Sequence, residues 1–363
     1  MENLEYAMSY QTAFANTYRN KKVFLTGHTG FKGAWFLSWL HLLGAEVKGY
    51  ALHPENHFDL YHQIKGDTLC ESVIADIRDK ERLKKEIVNF QPDFVFHLAA
   101  QPLVRLSYAI PADTFEVNTL GTVYVLDALR FLEKPCNTVM ITTDKVYENK
   151  EWHYAYREND RLGGYDPYSA SKATAEIAVS AYRNSFFNNN SYEQHQKAIA
   201  TARAGNVIGG GDWAKDRIIP DIVRALQANK TIEVRNPNAV RPWQHVIEPI
   251  SGYLLLGAKL LENSVKYAEA WNFGPMQDEA FTVEDLVKIA INIWGKGSYQ
   301  SPTSSDQPHE AKLLRLDINK SVNELGWKPK WNATQSVQHT IDFYKHADTL
   351  PFEYLKTQIS QHT

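Results

Sequence analysis

Val23-Phe-Leu-Thr26, followed by Gly27-His-Thr-Gly-Phe-Lys-Gly33, is the stretch of sequence that decides the fold. The apolar run predicts a buried strand, and the glycine-rich turn leads into a helical pattern over residues 34–43 that ends at Gly44. Glycines in such a turn let the backbone approach a pyrophosphate at a helix N-terminus. A glycine pattern alone is weak evidence, but this one has the required strand before it and helix after it. We therefore predict a dinucleotide-binding turn formed by Gly27, His28, Gly30, Phe31, Lys32 and Gly33.

Strand and helix patterns alternate along the next part of the chain. Further strands are predicted at 47–52, 72–75, 93–97, 138–142 and 198–204, and helices at 80–90, 111–132 and 168–187. This alternation, with short loops, indicates an α/β fold of Rossmann type with a doubly wound parallel sheet. After residue 206 the loops become richer in Gly, Pro and Trp, and helical patterns are predicted only at 282–294 and 318–325. We expect an N-terminal tail over residues 1–20, an NAD-binding Rossmann domain over 21–205, and over 206–363 mainly a smaller substrate-binding lobe, some of whose segments return to the first.

The composition excludes several classes of protein. With 363 residues the chain exceeds the usual size of a single core, and its net charge of −3 gives no sign of nucleic-acid binding. Cys70 and Cys136 are the only cysteines, which suits a reducing compartment and offers neither a disulfide framework nor a metal site. No apolar run approaches the roughly 20 residues of a membrane span, and the polar start lacks the apolar region of a signal peptide. We expect a cytoplasmic protein without a metal.

Tyr168 and Lys172 form the second informative pattern. They are four residues apart in a predicted helix that begins after Asp166-Pro167, so both lie on one face of it. A lysine ammonium beside a phenol favours the phenolate, and we expect the tyrosine pKa to fall from its ordinary value of about 10. The phenolate would be a general base near neutral pH. Thr143, at the end of the strand just upstream, is expected to hydrogen-bond the substrate hydroxyl.

Four further segments are candidates for holding the dinucleotide. The second strand ends in Leu52-His53-Pro54, where an acidic residue usually binds the adenosine ribose, and no arginine stands there for a 2′-phosphate, so NAD is favoured over NADP. Asp76 and Ile77 follow the third strand, and Asp76 is either a ligand of the nucleotide or a helix cap. Leu98, Ala99, Ala100 and Gln101 follow the fourth strand, and the small residues among them serve either the nucleotide or close packing of helix on sheet. Asn118 either braces the active-site strand or is a solvated polar position.

The sequence resembles the extended short-chain dehydrogenase/reductase family, in its nucleotide-sugar branch, over about residues 20–345. The resemblance is carried by the Gly-x-x-Gly-x-x-Gly spacing, by Tyr168-Ser-Ala-Ser-Lys172 and by the strings Gly27-His-Thr-Gly-Phe-Lys-Gly-Ala-Trp35, Thr142-Thr-Asp-Lys-Val-Tyr-Glu-Asn149 and Val240-Arg-Pro-Trp-Gln-His-Val246. Within that branch these strings resemble the enzymes that dehydrate CDP-D-glucose at C4 and C6. The resemblance implies oxidation at C4 by NAD, elimination across C5 and C6, and return of the hydride to C6, a step toward dideoxyhexoses of bacterial surface polysaccharide. It also implies that Asp76 and Ile77 hold the adenine.

Asp144 and Lys145 are predicted to supply the acid and the base of the elimination, because they directly follow Thr143. Relatives acting on dTDP-glucose resemble this chain but carry Asp-Glu there, with the Asp as acid and the Glu as base. A lysine can serve as a base only where burial or a nearby cation lowers its pKa. The alternative for Lys145 is a salt bridge with Asp144 or Glu148.

Candidate substrate ligands lie in the second half of the chain. Asn206 could touch sugar or phosphate, and Arg217, Arg235 and Arg241 offer forked donors for a diphosphate. Arg241 matches the family's phosphate-binding arginine best, whereas Arg217 and Arg235 could be solvated and Trp243 could be a buried loop anchor. Relatives often carry Arg-Pro-Gly-His-Asp near the nucleotide, where this chain has Gln307-Pro-His-Glu310, so His309 is a further candidate.

Three other functions compete with the dehydratase prediction. A nucleotide-sugar 4-epimerase would use the same Tyr, Lys and NAD without an elimination acid, so Asp144-Lys145 argues against it. A 4,6-dehydratase acting on another nucleotide sugar is the second alternative, and a non-enzymatic dinucleotide sensor is the third. The resemblance implies a homodimer or tetramer that pairs through the helices near 111–132 and 168–187 in a four-helix bundle.

Overall fold

The computed structural model describes residues 13–214, 217–240, 242–276, 281–301, 313–346 and 350–363. Within these ranges seven parallel strands form one sheet. They are β1 (Lys22–Thr26), β2 (Glu46–Ala51), β3 (Glu71–Ile74), β4 (Phe94–His97), β5 (Cys136–Ile141), β6 (Lys197–Ala204) and β10 (Ala270–Phe273). Their order in the sheet is β10-β6-β5-β4-β1-β2-β3. The chain adds strands in one direction from β1 to β3 and in the opposite direction from β4 onward, so the strand order reverses between β1 and β4. The predicted doubly wound Rossmann-type sheet is confirmed.

Both faces of the sheet are buried, as parallel sheets require. Phe24 of β1 and Val95 of β4 belong to one hydrophobic core, whereas their neighbours Leu25 and Phe96 belong to the other, because successive side chains of a strand point to opposite faces. The apolar runs in the sequence therefore mark central strands that are covered on two sides.

Helices cover each face. On one side lie α2 (Lys80–Phe90), α5 (Gly121–Leu129) and α6 (Pro167–Ser185), and on the other lie α1 (Phe31–Leu42) and α8 (Ile247–Glu262). Between β4 and α5 the chain forms α3 (Val104–Ala109), α4 (Pro111–Phe115) and a π-helical turn (Glu116–Leu120). The predicted helix 111–132 is thus observed, with a π turn inside it.

The second half of the chain contains more helix than we predicted. In addition to α8, the described residues form α7 (Ile218–Gln227), α9 (Val283–Trp294), α10 (Ala333–His346) and α11 (Pro351–His362). The short strands pair as β7 (Val207–Ile208) with β9 (Gln244–His245) and β8 (Ile232–Glu233) with β11 (Tyr299–Gln300). The prediction missed α8 because it is apolar around almost its whole circumference, which leaves no amphipathic pattern to detect. The predicted helix 318–325 is observed over residues 319–325, and its segment Ser321–Leu325 is π-helical.

Two segments pack against parts of the fold that are distant from them in the sequence. β10 pairs with β6 although 65 residues of sequence separate them. Tyr18 is buried and donates its hydroxyl to the carbonyl of Leu254 at 2.6 Å, so residues 13–20 of the predicted tail are packed against the core. The division into two lobes stays a prediction. No helix in the described ranges has the length and apolar character needed to cross a membrane.

Candidate active site

The glycine-rich turn is built so that side chains cannot enter it. Gly27 has φ of +76°, and a Cβ there would lie 2.8 Å from the backbone nitrogen of Ala99. A Cβ on Gly33 would lie 1.9 Å from the carbonyl oxygen of Gly27. The turn is therefore pressed between the segment after β4 and the first turn of α1, whose N-cap Gly30 offers no side-chain cap. The backbone N–H groups that begin α1 are left for a ligand.

A cavity of about 1030 Å³ opens where the parallel strands end. This edge of an open α/β sheet, beside the reversal of strand order, is where such folds bind their ligands. The cavity is lined by most of the predicted residues, namely Gly27, Gly30, Phe31, Lys32, Gly33, Asp76, Ile77, Leu98, Ala99, Ala100, Thr143, Lys145, Tyr168, Lys172, Asn206, Arg217 and Arg235.

Two histidines predicted to bind the cofactor do not line this cavity. His28 is buried beneath the turn, with Nε2 2.8 Å from Ser72 Oγ and its ring against Gly49. Burial lowers the pKa of His28 to about 4. His53 is exposed, and its Nδ1 lies 2.7 Å from the carbonyl of Pro54. The roles of His28 and His53 in cofactor binding stay predictions. Their positions outside the cavity were not foreseen, because a sequence shows where a side chain begins but not which way it leaves the turn.

Asn118 and Gln101 also lie behind the cavity wall. The backbone N–H of Gln101 donates to Asn118 Oδ1 at 2.8 Å, and Asn118 Nδ2 donates to the carbonyl of Gln101 at 3.1 Å. Asn118 Nδ2 also donates to Ser171 Oγ of α6 at 2.9 Å. Asn118 sits in the π turn, a feature that is frequent at functional sites. It therefore braces the segment after β4 against the helix that carries Tyr168 and Lys172.

The expectation for Tyr168 was wrong in sign. Tyr168 is buried, and burial raises its pKa above the ordinary value. The charge of Lys145 and a hydrogen bond with Thr143 act in the opposite direction, without outweighing burial. The predicted fall of the pKa does not occur, because desolvating a buried phenolate costs more than the nearby cation, Lys145 and not Lys172, returns.

Lys172 is buried on the same helix. Its Nζ lies 3.5 Å from the carbonyl of Ile141, the last residue of β5. Burial lowers the pKa of Lys172 to about 8, and the carboxylate of Glu176 opposes that fall. The lysine is thus poised to change protonation state close to neutral pH.

Asp144 and Lys145 form an ion pair at the cavity. Lys145 Nζ lies 3.2 Å from Asp144 Oδ1 and donates to Asn206 Oδ1 at 3.1 Å. Thr143 donates its hydroxyl to the same Asp144 oxygen at 2.9 Å. Asp144 is buried behind Thr143 and Lys145, which both line the cavity. Lys145, the predicted base, therefore forms the salt bridge with Asp144 that was the alternative prediction for it. A role as base is compatible with this ion pair.

Comparisons with known proteins identify the family of this chain. Residues 24–340 match the GDP-mannose 4,6-dehydratase family. The chain belongs to this family. It is 48% identical over 330 residues to the CDP-glucose 4,6-dehydratase of Salmonella typhimurium, with 91% of this chain and 92% of that protein covered. It is 26% identical to the dTDP-glucose 4,6-dehydratase of Streptomyces antibioticus, covering 88% and 91%.

Solved structures show the same fold. The dTDP-glucose 4,6-dehydratase of Streptomyces venezuelae, solved with NAD bound, gives a TM-score of 0.76 at 24% identity, covering 90% of this chain and 97% of that one. The UDP-glucose 4-epimerase of Thermotoga maritima gives 0.73 at 19% identity, covering 89% and 98%.

In this member of the family, Asp76 is engaged by Arg78. The guanidinium of Arg78 donates to both carboxylate oxygens, and this hydrogen bonding holds the pKa of Asp76 below its usual range. The cap of α2 is Asp79, whose side chain accepts from the N–H of Arg82, so the alternative role of Asp76 as helix cap is wrong. Arg78 lines the cavity beside Asp76 and was missed, because it stands within a charge-rich stretch that reads as a solvated face.

The candidate substrate ligands are only partly described. Arg217 forms an ion pair with Asp212 at 3.0 Å and lines the cavity, as do Arg235 and the mostly buried Trp243. Arg241 and His309 lie outside the described residues. Within the described ranges, no group of three or more His, Cys, Asp or Glu side chains could hold a metal ion.

One more element of the cavity wall was missed. Helix α3 lies along the wall, and its residues Arg105 and Tyr108 line the cavity. The sequence signal for it is Gln101-Pro102, just before the helix begins. Lys32 was predicted, but its surroundings were not: Nζ lies 3.4 Å from the hydroxyl of Tyr253 on α8, and burial together with the charges of Arg217 and Lys172 lowers its pKa to about 7.

Proposed function

We propose that this protein dehydrates CDP-D-glucose to CDP-4-keto-6-deoxy-D-glucose with NAD as its cofactor. The observation that carries the proposal is that Thr143, Lys145, Tyr168 and Lys172 line the same cavity as a glycine turn, with Asp144 paired to Lys145. The 48% identity to a CDP-glucose 4,6-dehydratase over nine-tenths of both chains supports the choice of nucleotide. The 4-epimerases are more distant relatives, and their reaction has no use for an acid–base pair beside Thr143.

The cavity suits a dinucleotide. A Cβ at Gly27 or Gly33 would fill the turn, and the uncapped start of α1 presents N–H groups that favour a pyrophosphate. Asp76 and Ile77 would hold the adenosine end, and Lys172 the nicotinamide ribose. When bound, NAD takes a hydride from the sugar and later gives it back, so it ends the cycle unchanged.

The residues of this chain handle the protons. Tyr168, as phenolate, takes the proton of the sugar 4-hydroxyl, and Thr143 holds the 4-oxygen through its hydroxyl. The charge of Lys145 and the hydroxyl of Thr143 stabilise the phenolate. Once C4 is a ketone, the hydrogen on C5 is acidic. In the ion pair Lys145 is an ammonium and Asp144 a carboxylate, so a proton must first pass from Lys145 to Asp144. Lys145, as the neutral amine, then takes the C5 proton, and Asp144, as the protonated acid, gives its proton to the departing 6-hydroxyl.

A substrate panel tests the proposal. Purified enzyme with NAD should release a 4-keto-6-deoxy sugar from CDP-D-glucose much faster than from dTDP-, UDP- or GDP-linked sugars, scored by the absorbance of the product in alkali. Tyr168→Phe tests the assignment of Tyr168 as the base, because it removes only the hydroxyl of that side chain. It should lower turnover by roughly two to four orders of magnitude while CDP-D-glucose still binds. Equal rates on another nucleotide sugar would overturn the choice of substrate.

A second copy of the chain is the partner we propose for the helices beside the sheet. The exposed apolar residues are Phe115 at the end of α4, Leu120 at the end of the π turn, Ile177 on α6 and Phe186 just after it. Exposed apolar patches mark interaction surfaces, and these residues are our candidates for one. Pairing of these helices across a two-fold axis would bury both sets in a four-helix bundle, as a dimer or within a tetramer. A cytoplasmic location and a place in the synthesis of dideoxyhexoses for lipopolysaccharide O-antigen follow from the proposed substrate.

A further inference from the structure

A buried carboxylate lies directly beneath the catalytic strand end. Glu176 on α6 accepts the hydroxyl of Thr142 at 2.5 Å and that of Thr201 at 2.9 Å. Arg203 of β6 donates to it through Nε at 3.0 Å and through Nη2 at 2.9 Å, which is a forked, charge-assisted pair. Both charged side chains are at least 96% buried. Four donors therefore fix this carboxylate between α6, β5 and β6.

The arginine is fixed equally well on its other side. Arg203 Nη1 donates to the hydroxyl of Tyr147 at 2.9 Å and to the carbonyl of Glu158 at 2.9 Å. The Tyr147 hydroxyl in turn donates to Asn272 Oδ1 of β10 at 2.7 Å. The network thus ties the segment after Lys145 to the two strands at the edge of the sheet.

The position of the pair relative to the proposed catalytic residues is specific. Glu176 is one helical turn after Lys172 and two after Tyr168, and Thr142 directly precedes Thr143. A buried ion pair adds little net stability compared with apolar packing of the same volume. Stability alone therefore explains the buried Glu176–Arg203 pair poorly. Control of the geometry and the charge of the neighbouring residues, Thr143 and Lys172, explains it better.

We propose that Glu176 and Arg203 form a positioning pair, which holds Thr143 against Tyr168 and keeps a negative charge one turn from the Lys172 ammonium. The roles of Thr143, Tyr168 and Lys172 in this inference rest on the proposed function. Neither Glu176 nor Arg203 lines the cavity, so the pair acts through those residues. The charge of Glu176 favours the protonated form of Lys172, against the burial that disfavours it.

The first test measures the protonation of Lys172 directly. The amine of Lys172 is titrated by NMR in protein with ¹⁵N-labelled lysine side chains, and Lys172→Arg identifies its signal. Glu176→Gln should move the midpoint of this titration to lower pH by about one unit, because the neutral amide no longer stabilises the ammonium. An unchanged midpoint would overturn the electrostatic part of the proposal. The measurement needs no substrate, so its outcome is independent of whether CDP-D-glucose is the right one.

Two further variants separate this effect from a loss of folding. Glu176→Gln with Arg203→Gln leaves no unpaired buried charge, so it should fold where the single variant does not, and should shift Lys172 in the same direction by less. Glu248→Gln removes another fully buried carboxylate, which accepts the N–H groups of Lys330 and Trp331 far from α6. It should lower thermal stability and leave the Lys172 midpoint in place. A shift of the same size in Glu248→Gln would mean that the effect is not specific to the pair.

The second test addresses geometry. Thr142→Val removes the hydroxyl that reaches Glu176 and keeps the shape of the side chain, whereas Thr142→Ser keeps the hydroxyl. The valine variant should lower kcat by about tenfold with little change in KM, and the serine variant should recover most of that loss. Equal kcat in the two variants would show that the contact with Glu176 does not position Thr143.

Discussion

The proposed elimination depends most directly on Lys145, whose ion pair with Asp144 lies beside the Thr143 hydroxyl. Lys145→Met should still oxidise CDP-D-glucose at C4, because Tyr168 and Lys172 are intact, but more slowly than the wild type, because the charge that lowers the pKa of Tyr168 is gone. It should lose exchange of the C5 hydrogen with solvent by at least about a hundredfold, because that step has lost its base. Deuterium uptake at C5, followed beside the absorbance of enzyme-bound NADH, measures both steps.

Asp144→Asn is the companion variant, and it should keep C5 exchange while loss of the 6-hydroxyl slows. If Lys145→Met takes up deuterium as fast as the wild type, Lys145 is only the partner of Asp144 in a salt bridge.

At this scale the sequence predicted most of the residues that line the cavity but not their electrostatics. The Tyr168 and Lys172 pair was found from a four-residue spacing, which depends on helix geometry alone. The raised pKa of Tyr168 was not, because it depends on how completely the surrounding segments exclude water. The positions of His28 and His53 outside the cavity were not foreseen for a related reason, since the direction of a side chain in a turn is set by the packing around it.

Among the elements, the glycine turn gives a prediction about stability. Gly33→Ala places a methyl group 1.9 Å from the Gly27 carbonyl oxygen, so the turn or α1 must move. We expect a loss of about 2 kcal/mol or more in the free energy of unfolding. Gly30→Ala is the control, because its Cβ would stand 3.5 Å from the same oxygen at an ordinary φ of −72°. Urea unfolding of both variants measures the difference, and equal stability would contradict the packing described for this turn.

The same scale shows why some elements were predictable. Helix α2 was placed correctly over Lys80–Phe90, since an acidic cap and a one-sided apolar stripe mark it in the sequence. Helix α8 and strand β10 were not found, since α8 is apolar all round and the four residues of β10 carry too short a pattern. Their partners lie far away along the chain, so only the folded arrangement identifies them.

For the whole molecule, buried histidines make stability depend on pH. Burial lowers the pKa of His28 to about 4 and that of His97 to about 3, and it places that of His245 well below 6.5. Between pH 7.5 and 5.5 the unfolded chain therefore binds protons at these positions that the folded protein does not, and stability must fall as pH falls. We expect a loss of about 1 kcal/mol for each of the three histidines. Urea unfolding at the two pH values measures it.

His28→Asn should remove about a third of that pH dependence. A free energy of unfolding that is equal at pH 7.5 and 5.5 would mean that these rings are protonated in the folded protein.

The proposed assembly also belongs to this scale. Leu120→Lys with Ile177→Lys places charges on the exposed apolar faces of the two helices, which should convert the oligomer to monomers at micromolar concentration. Light scattering gives the mass directly. Leu261→Lys, at an equally exposed leucine near the end of α8, is the control and should leave the mass unchanged. A wild-type monomer would refute the proposed pairing.

The late arrival of β10 has a consequence for synthesis on the ribosome. Every residue of β6 is buried in the finished sheet, and β10 covers the outer edge of that strand. Until residue 273 has left the exit tunnel, this edge is an open template for pairing with other chains. A nascent chain paused after β6 therefore carries an aggregation hazard that the completed protein lacks. Truncation before β10 should yield insoluble material in cells, and chaperones that hold nascent chains should bind most strongly in the interval between the two strands.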